Sequence, residues 1–331
     1  MSQKARRKIS QRQKNNASKS TRSQQVLAYD LGGTKVAVGV VNSRGRVLKE
    51  LREPVVIHEG KAAVIRQLVR MGRTLLESYP LIQRVGIASA GPLDPKKGVL
   101  LDPTNFAGPD GPWGVTPLAS LLKKQLALPV VMDNDAAAAM IAEHWVGKAK
   151  RVQNAMILTL GTGLGTGILA NGELVRAGQH LHPEAGHLIL QAHDRTAKCG
   201  CGNYGCAEAY LSGRNFGRRV SIQFGRPEMD AKEIADLARN GNKKALRAFD
   251  EYAEMLAIAL HNYAVIYCPE VIIFAGSFAG ASDLFLNKAE LRLKELLKRR
   301  RKGVDLMPKL VVSSLHNQSG IIGGAWLAFQ E

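Results

Sequence analysis

The chain has 331 residues, 45% of them hydrophobic, and a formal net charge of +18. That length exceeds what one compact core usually holds and predicts two domains. No apolar run approaches the roughly 20 residues of a membrane helix and the N-terminus lacks a signal-peptide core, so neither a membrane nor an exported protein is expected and the predicted compartment is the cytoplasm.

In chain order, residues 1–25 come first and carry Lys4, Arg6, Arg7, Lys8, Arg12, Lys14, Lys19 and Arg22 with no acid. Almost free of large apolar residues, this basic tail cannot bury enough surface to fold and is expected to be disordered. It reads either as a solvated tail or as an electrostatic arm for nonspecific contact with nucleic acid or acidic partners. VLAYDLGGTKVAVGVVNSRGRVLKE then predicts two strands joined at DLGGTK, a turn at NSRGR and a third strand. KAAVIRQLVRMGRTLLESY predicts a helix with Val64, Leu68, Met71 and Leu75 on one stripe. RVGIASAG reads as a buried strand, PLASLLKKQLAL as a helix and PVVMDND as a strand with polar residues at its end. AMILTLGTGLGTGILANGEL repeats the opening pattern of strand, glycine turn and strand. Phe249, Tyr252, Leu256 and Tyr263 stripe a long helix before the strand EVIIFAGS. A basic helix near 284–301, the strand KLVVSSL and the helix GIIGGAWLAF close the chain. Alternating strands and helices define the α/β class.

Four stretches carry chemistry. In DLGGTK, Gly32 and Gly33 let main-chain N–H groups approach an anion, Thr34 adds a hydroxyl, and Asp30 at the strand end suits a hydrated magnesium ion. GTGLGTG, residues 161–167, offers a second such hairpin; neither has P-loop or Rossmann spacing. Each alone also fits a tight turn with no ligand, but two between strands look like jaws closing on one polyphosphate. MDND places Asp133, Asn134 and Asp135 where α/β sheets present ligands. There Asp135 reads equally as a catalytic group or as a cap on the helix that follows. CGCGNYGC brings Cys199, Cys201 and Cys206 together. Without export disulfides are disfavoured, so these thiols read as zinc ligands, and a structural zinc wants a fourth. Spacing alone leaves His182, His187 and His193 open. Cys268, in the apolar AVIYCPEVIIF, reads as a small buried hydrophobe.

The paired hairpins resemble the sugar kinase–heat-shock–actin superfamily, whose nucleotide lies between two ribonuclease H-like domains. VGIASAGPLDPKKGVLLDPTN, LPVVMDND, GTGLGTG, PEAGH and CGCGNYGCAE stand in the order and spacing of the ROK (repressor, open reading frame, kinase) family. Within it, the pattern looks most like the zinc-containing bacterial glucokinases.

That resemblance implies an N-terminal domain over 26–136 completed by a C-terminal helix at 316–331, and a larger domain over 137–315 with the zinc loop. It implies transfer of the γ-phosphate of ATP to the 6-hydroxyl of glucose or a related hexose, with Asp135 as general base. Sugar contacts would come from Asn105, Asn134, Asp135, Glu184, His187 and Glu208. The phosphates and magnesium would meet Asp30, Gly32, Gly33, Thr34 and Lys35 from the first hairpin. Gly161, Thr162, Gly163 and Gly165 would serve from the second hairpin, with Gly276 beyond. His187 would be the fourth ligand of a closed structural zinc site, leaving His182 and His193 as surface or supporting residues. A homodimer or homotetramer is implied.

The chain departs from the family's pattern at Ala137, where asparagine is common, at Thr166, and in the longer loop TNFAGPDGPWGV. The family also holds sugar-responsive repressors, but these place a helix-turn-helix domain before the sugar-binding part and tend to lose the first hairpin. Residues 1–25 have no periodicity to build a helix, and DLGGTK is whole, so the kinase reading is the expected one. A nucleic-acid zinc finger is excluded by the spacing of CGCGNYGC.

Overall fold

In the computed structural model the described residues are 24–103, 106–109, 111–176, 178–298 and 305–331. The basic tail up to residue 23, Asn105 and the end of the basic helix therefore lie outside them.

The first sheet is built from β1 (Gln25–Leu31), β2 (Lys35–Asn42), β3 (Val47–Pro54), β4 (Val85–Ser89) and a later strand, β10 (Val130–Asn134). Short strands lie between β4 and β10. They are β5 (Leu93–Asp94), β6 (Val99–Leu101), β7 (Ala107–Gly108), β8 (Gly111–Pro112) and β9 (Val115–Thr116). The second sheet uses β11 (Ala155–Leu160), β12 (Leu164–Ala170), β13 (Glu173–Leu174), β14 (Val271–Ala275) and β15 (Lys309–Val312).

The two sheets share one topology. Their orders are β10–β4–β1–β2–β3 and β15–β14–β11–β12–β13. In each, the three strands earliest in the chain pair antiparallel and the two that come later add in parallel. The repeat of strand, glycine turn and strand in the sequence is thus a repeat of a whole ribonuclease H-like lobe. The parallel strands β4 and β14 are buried at every position, as strands covered on both faces must be.

The predicted stripes face the cores. Val64, Leu68, Met71 and Leu75 of the helix Lys61–Ser78 are buried against the first sheet. Phe249, Tyr252, Leu256 and Tyr263 of the helix Lys243–Tyr267 are buried in the second lobe. Cys268 corrects an expectation. The helix ends at Tyr267 and Cys268 takes a left-handed capping conformation (φ 45°), which leaves it exposed before β14 begins.

Two helices join the lobes. Asp135–Val146 lies between the sheets, against β12 and against the last helix, Ser319–Gln330, which itself covers β1 and β4. Small residues make that contact. A Cβ on Gly323 would stand 2.0 Å from the Ala138 carbonyl oxygen, so only glycine permits this approach to the alanine run 136–139. Among the described residues no helix is long and apolar enough to cross a membrane.

Candidate active site and metal centre

β1 and β10 both end at the mouth of the cleft, which is how their terminal acids reach it. A cavity of about 180 Å³ there is lined from the first lobe by Asp30 and Arg52 and from the second by Thr159, Ala275 and Gly276. Asp135 and the segment His316–Gly320 complete it. The first hairpin is tight, with the Gly32 N–H donating to the Lys35 carbonyl (3.0 Å), and Thr34 and Lys35 stand exposed at its tip. The second turns between β11 and β12, with the Gly161 N–H bonded to the Gly163 carbonyl (3.1 Å). Thr162 is half-buried there, and Gly165 faces Thr159 and Ala136 with no room for a side chain.

Asp30 faces the N-terminal turn of the last helix. A Cβ on Gly320 would lie 2.3 Å from its carboxyl carbon, so glycine leaves that acid its place. Burial between the lobes and the charge of Asp135 push the Asp30 carboxyl up to about 7, while Arg52 pulls it back. Arg52 was not singled out in the sequence. The register explains its reach, because Asp30, Ala37 and Arg52 are direct cross-strand partners on β1, β2 and β3. The small Ala37 between them lets the guanidinium extend along that face, where it donates to Glu50 and to the Asn317 carbonyl (2.9 Å).

An acid with a raised pKa must lose its proton before it can serve a cation. The magnesium requirement of any ATP reaction here is therefore expected to rise as pH falls below about 7. Titrations of magnesium from pH 5.5 to 8 check this. A rise equally steep in Asp30→Asn would show that Asp30 is not the titrating group.

At the end of β10 the capping reading of Asp135 fails. Asn134, not Asp135, caps the helix Asp135–Val146, its Oδ1 accepting from the N–H groups of Ala136 (2.9 Å) and Ala137 (3.1 Å). Asp135 is the first helical residue, half-buried, with one local bond from the Ala136 N–H (2.8 Å). Burial pushes its carboxyl above the usual carboxylate range, partly offset by that bond and by His182. Asp133 is buried and fully engaged by Arg176 and by the Asn134 N–H (2.7 Å).

Beside Asp135 stands the PEAGH segment. His182 is buried, not at the surface, and its Nε2 lies 3.2 Å from Glu184 Oε1. Burial opposes the charge of Glu184, yet the His182 hydrogen bond and the nearby His187 hold its carboxyl below its ordinary value. Thr166, a departure from the family's pattern, fixes this segment to β12. Its hydroxyl donates to the Pro183 carbonyl (3.0 Å) and accepts from the Ala185 N–H (3.2 Å).

The donor atoms of His187, Cys199, Cys201 and Cys206 all lie within 4.8 Å of one another. His182 and His193 are not in this cluster. Cys201 and Cys206 sulfurs are 3.8 Å apart, and Cys199 Sγ is 3.4 Å from His187 Nδ1. Tetrahedral zinc with bonds of about 2.3 Å to sulfur and 2.0 Å to nitrogen sets such pairs about 3.8 and 3.5 Å apart, so the four residues fit that ion. Burial pushes the thiols of Cys199 and Cys206 up, and only a cation would keep such groups as thiolates. The Nδ1 of His187 faces the sulfurs, which leaves Nε2 for another partner.

Glu208 ties this knot to the second hairpin. Its Oε1 accepts from Cys199 Sγ (3.4 Å) and its Oε2 from the Leu164 N–H (3.0 Å). Cys206 stands at the start of the short helix Ala207–Leu211 that carries it.

Two ribonuclease H-like lobes with a glycine hairpin each and acids between them define the two-domain fold of the actin-like ATPases. Residues 26–331 match the ROK family, and the chain belongs to it. The chain is 32% identical to a glucokinase of Thermotoga maritima over 91% of its length and 96% of that protein's. It is 28% identical to an N-acetyl-D-glucosamine kinase of Citrobacter koseri, over 90% and 97%. Its fold is similar to that of a ROK family glucokinase from Streptomyces griseus in complex with glucose and AMPPNP. There the TM-score is 0.77 at 27% identity, covering 93% of this chain and all of that one.

Proposed function

We propose that the protein is an ATP-dependent sugar kinase that transfers the γ-phosphoryl group to the 6-hydroxyl of glucose or a related hexose. The observation that carries this reading is Asp135. It stands in the cleft at a strand end, released from capping by Asn134, with its carboxyl shifted upward toward the range of a working base.

In this reading the sugar lies among Asn134, Asp135, Glu184 and His187, with Asn105 of the β6–β7 loop and Glu208 as further contacts. Asn134 spends its oxygen on the helix and keeps its amide N–H₂ for a sugar hydroxyl. Asp135 accepts the proton of the attacking hydroxyl. The N–H groups of Gly33 and Thr34 on one side, and of Thr162 and Gly163 on the other, align the phosphates, while Gly32 and Gly161 spend theirs on closing the two turns around them. Lys35, Gly165 and Gly276 complete the nucleotide side. Magnesium, held near Asp30, would neutralise the charge of the transferred group. Zinc on His187, Cys199, Cys201 and Cys206 would be structural, fixing Glu184 and Glu208. We place the lobe boundary near residue 136, with the terminal helix returned to the first lobe. A cytoplasmic homodimer or homotetramer is part of the same reading.

Both relatives' names support a hexose substrate, and they differ over the N-acetyl group. A coupled assay with ATP, magnesium and glucose, mannose, fructose, N-acetylglucosamine and N-acetylmannosamine is expected to show turnover, highest on one or two of these. ATP should bind with magnesium by calorimetry. Folded protein that binds no nucleotide would sink the kinase reading.

A further inference from the structure

Asp133 is an acid buried to 2% exposure in the edge strand of the first sheet, and its partner comes from the other lobe. Arg176 follows β13, the edge strand of the second sheet, and grips the Asp133 carboxylate with both terminal nitrogens, Nη1 at 3.0 Å from Oδ1 and Nη2 on Oδ2. A planar guanidinium forked on a carboxylate fixes angle as well as distance. The same Oδ1 accepts the Asn134 N–H at 2.7 Å. Asn134 in turn caps the helix whose first residue is Asp135. A continuous line of directed bonds thus runs from a loop of the second lobe, through Asp133 and Asn134, to the acid at the centre of the cleft.

We infer that Arg176 and Asp133 form a cross-lobe clamp that positions Asp135 against the second lobe and its glycine hairpin. Neither is a catalytic residue, since their charged groups are spent on each other. This inference rests on the kinase reading. The first hairpin and Asp135 sit on one lobe and the second hairpin on the other, so the alignment of hydroxyl and γ-phosphate depends on how β10 is held relative to β11 and β12. A misplacement near 1 Å in such a geometry lowers turnover by on the order of 10²-fold without comparable loss of binding.

The test compares the wild type with Arg176→Lys, Arg176→Met and the double variant Asp133→Asn/Arg176→Met. Each is measured for kcat, both KM values and melting temperature. Arg176→Lys keeps the charge but not the fork and should lower kcat roughly tenfold at unchanged melting temperature. Arg176→Met strands a buried carboxylate and should lose both stability and kcat. The double variant removes that stranded charge, so its melting temperature should recover while kcat stays about 10²-fold down and both KM values stay within threefold. Recovery of kcat together with stability would overturn the clamp and make the pair purely structural. A loss confined to KM would overturn it as well. If the double variant does not fold, Arg176→Lys decides alone, since unchanged turnover there also overturns it. A wild type inactive on every sugar would defeat the kinase reading instead, before any variant is compared.

Discussion

Asp135→Asn is expected to lower kcat on the preferred sugar by about 10²–10⁴-fold while sugar and MgATP still bind. The amide keeps the shape of the side chain and a carbonyl oxygen for the Ala136 N–H, but it cannot take a proton. The helix should not suffer, because its cap is Asn134. The loss therefore falls on the chemical step. Burial raises the Asp135 carboxyl above its ordinary value, and a base works only when ionised. Wild-type kcat should accordingly fall as pH drops through a midpoint above the usual aspartate range, and this acid limb should be missing from the residual activity of the variant. Turnover near that of the wild type would leave Asp135 as a helix residue only. Asp133 would not replace it, since both its oxygens are bound.

The sequence carried the parts whose signal is local. Each glycine hairpin sits between two strands of continuous apolar character, and the repeat of that pattern was the repeat of a lobe. Three cysteines in eight residues pointed to a candidate metal site, although spacing left three histidines open, and of these the fold sets only His187 beside the sulfurs. What stayed hidden depends on pairs distant in the chain. Arg176 is one arginine among many, and only the meeting of two sheet edges gives it Asp133. Arg52 lines the same cavity as Asp30 from across one intervening strand, where the residue between is alanine, a fact of register rather than of motif. His182 read as a surface or supporting residue, and only the inward fold of the PEAGH segment against Thr166 favours the second of these. The cap on the alanine helix fell one residue earlier than the capping reading of Asp135 supposed. Side chains before a helix compete for the same N–H groups, and the fold gave them to Asn134. The helices Gly213–Phe224 and Ala231–Arg239 were not anticipated, because their buried faces are made largely of small or polar residues, Asn215, Gly217 and Ser221 in the first and Ala235 and Ala238 beside Ile234 in the second.

Removal of the metal is the second large effect expected, and it should reach the phosphates as well as the fold. Elemental analysis of protein purified without chelator should give about one zinc per chain. Cys206→Ser, or prolonged treatment with a strong chelator, should lower the melting temperature by roughly 10 °C. Zinc contributes about 10–16 kcal/mol to isolated finger peptides, and a third of that here, about 3–5 kcal/mol, produces such a shift at about 2–4 °C per kcal/mol. Cys199 and Cys206 are buried in the second lobe's core, so the thiols left behind remain packed but lose their cation. Without the ion Cys206 no longer pins the start of the helix Ala207–Leu211, and Glu208 loses the fixed position from which its Oε2 accepts the Leu164 N–H of the second hairpin. KM for MgATP should therefore rise along with KM for sugar, a joint change that a loss of sugar contacts alone would not give. Cys268→Ser is the control. Cys268 is an exposed capping residue outside the cluster, and its replacement should leave zinc content, melting temperature and both KM values as they were. A zinc-free chain that melts and turns over like the untreated protein would dispose of the metal centre altogether.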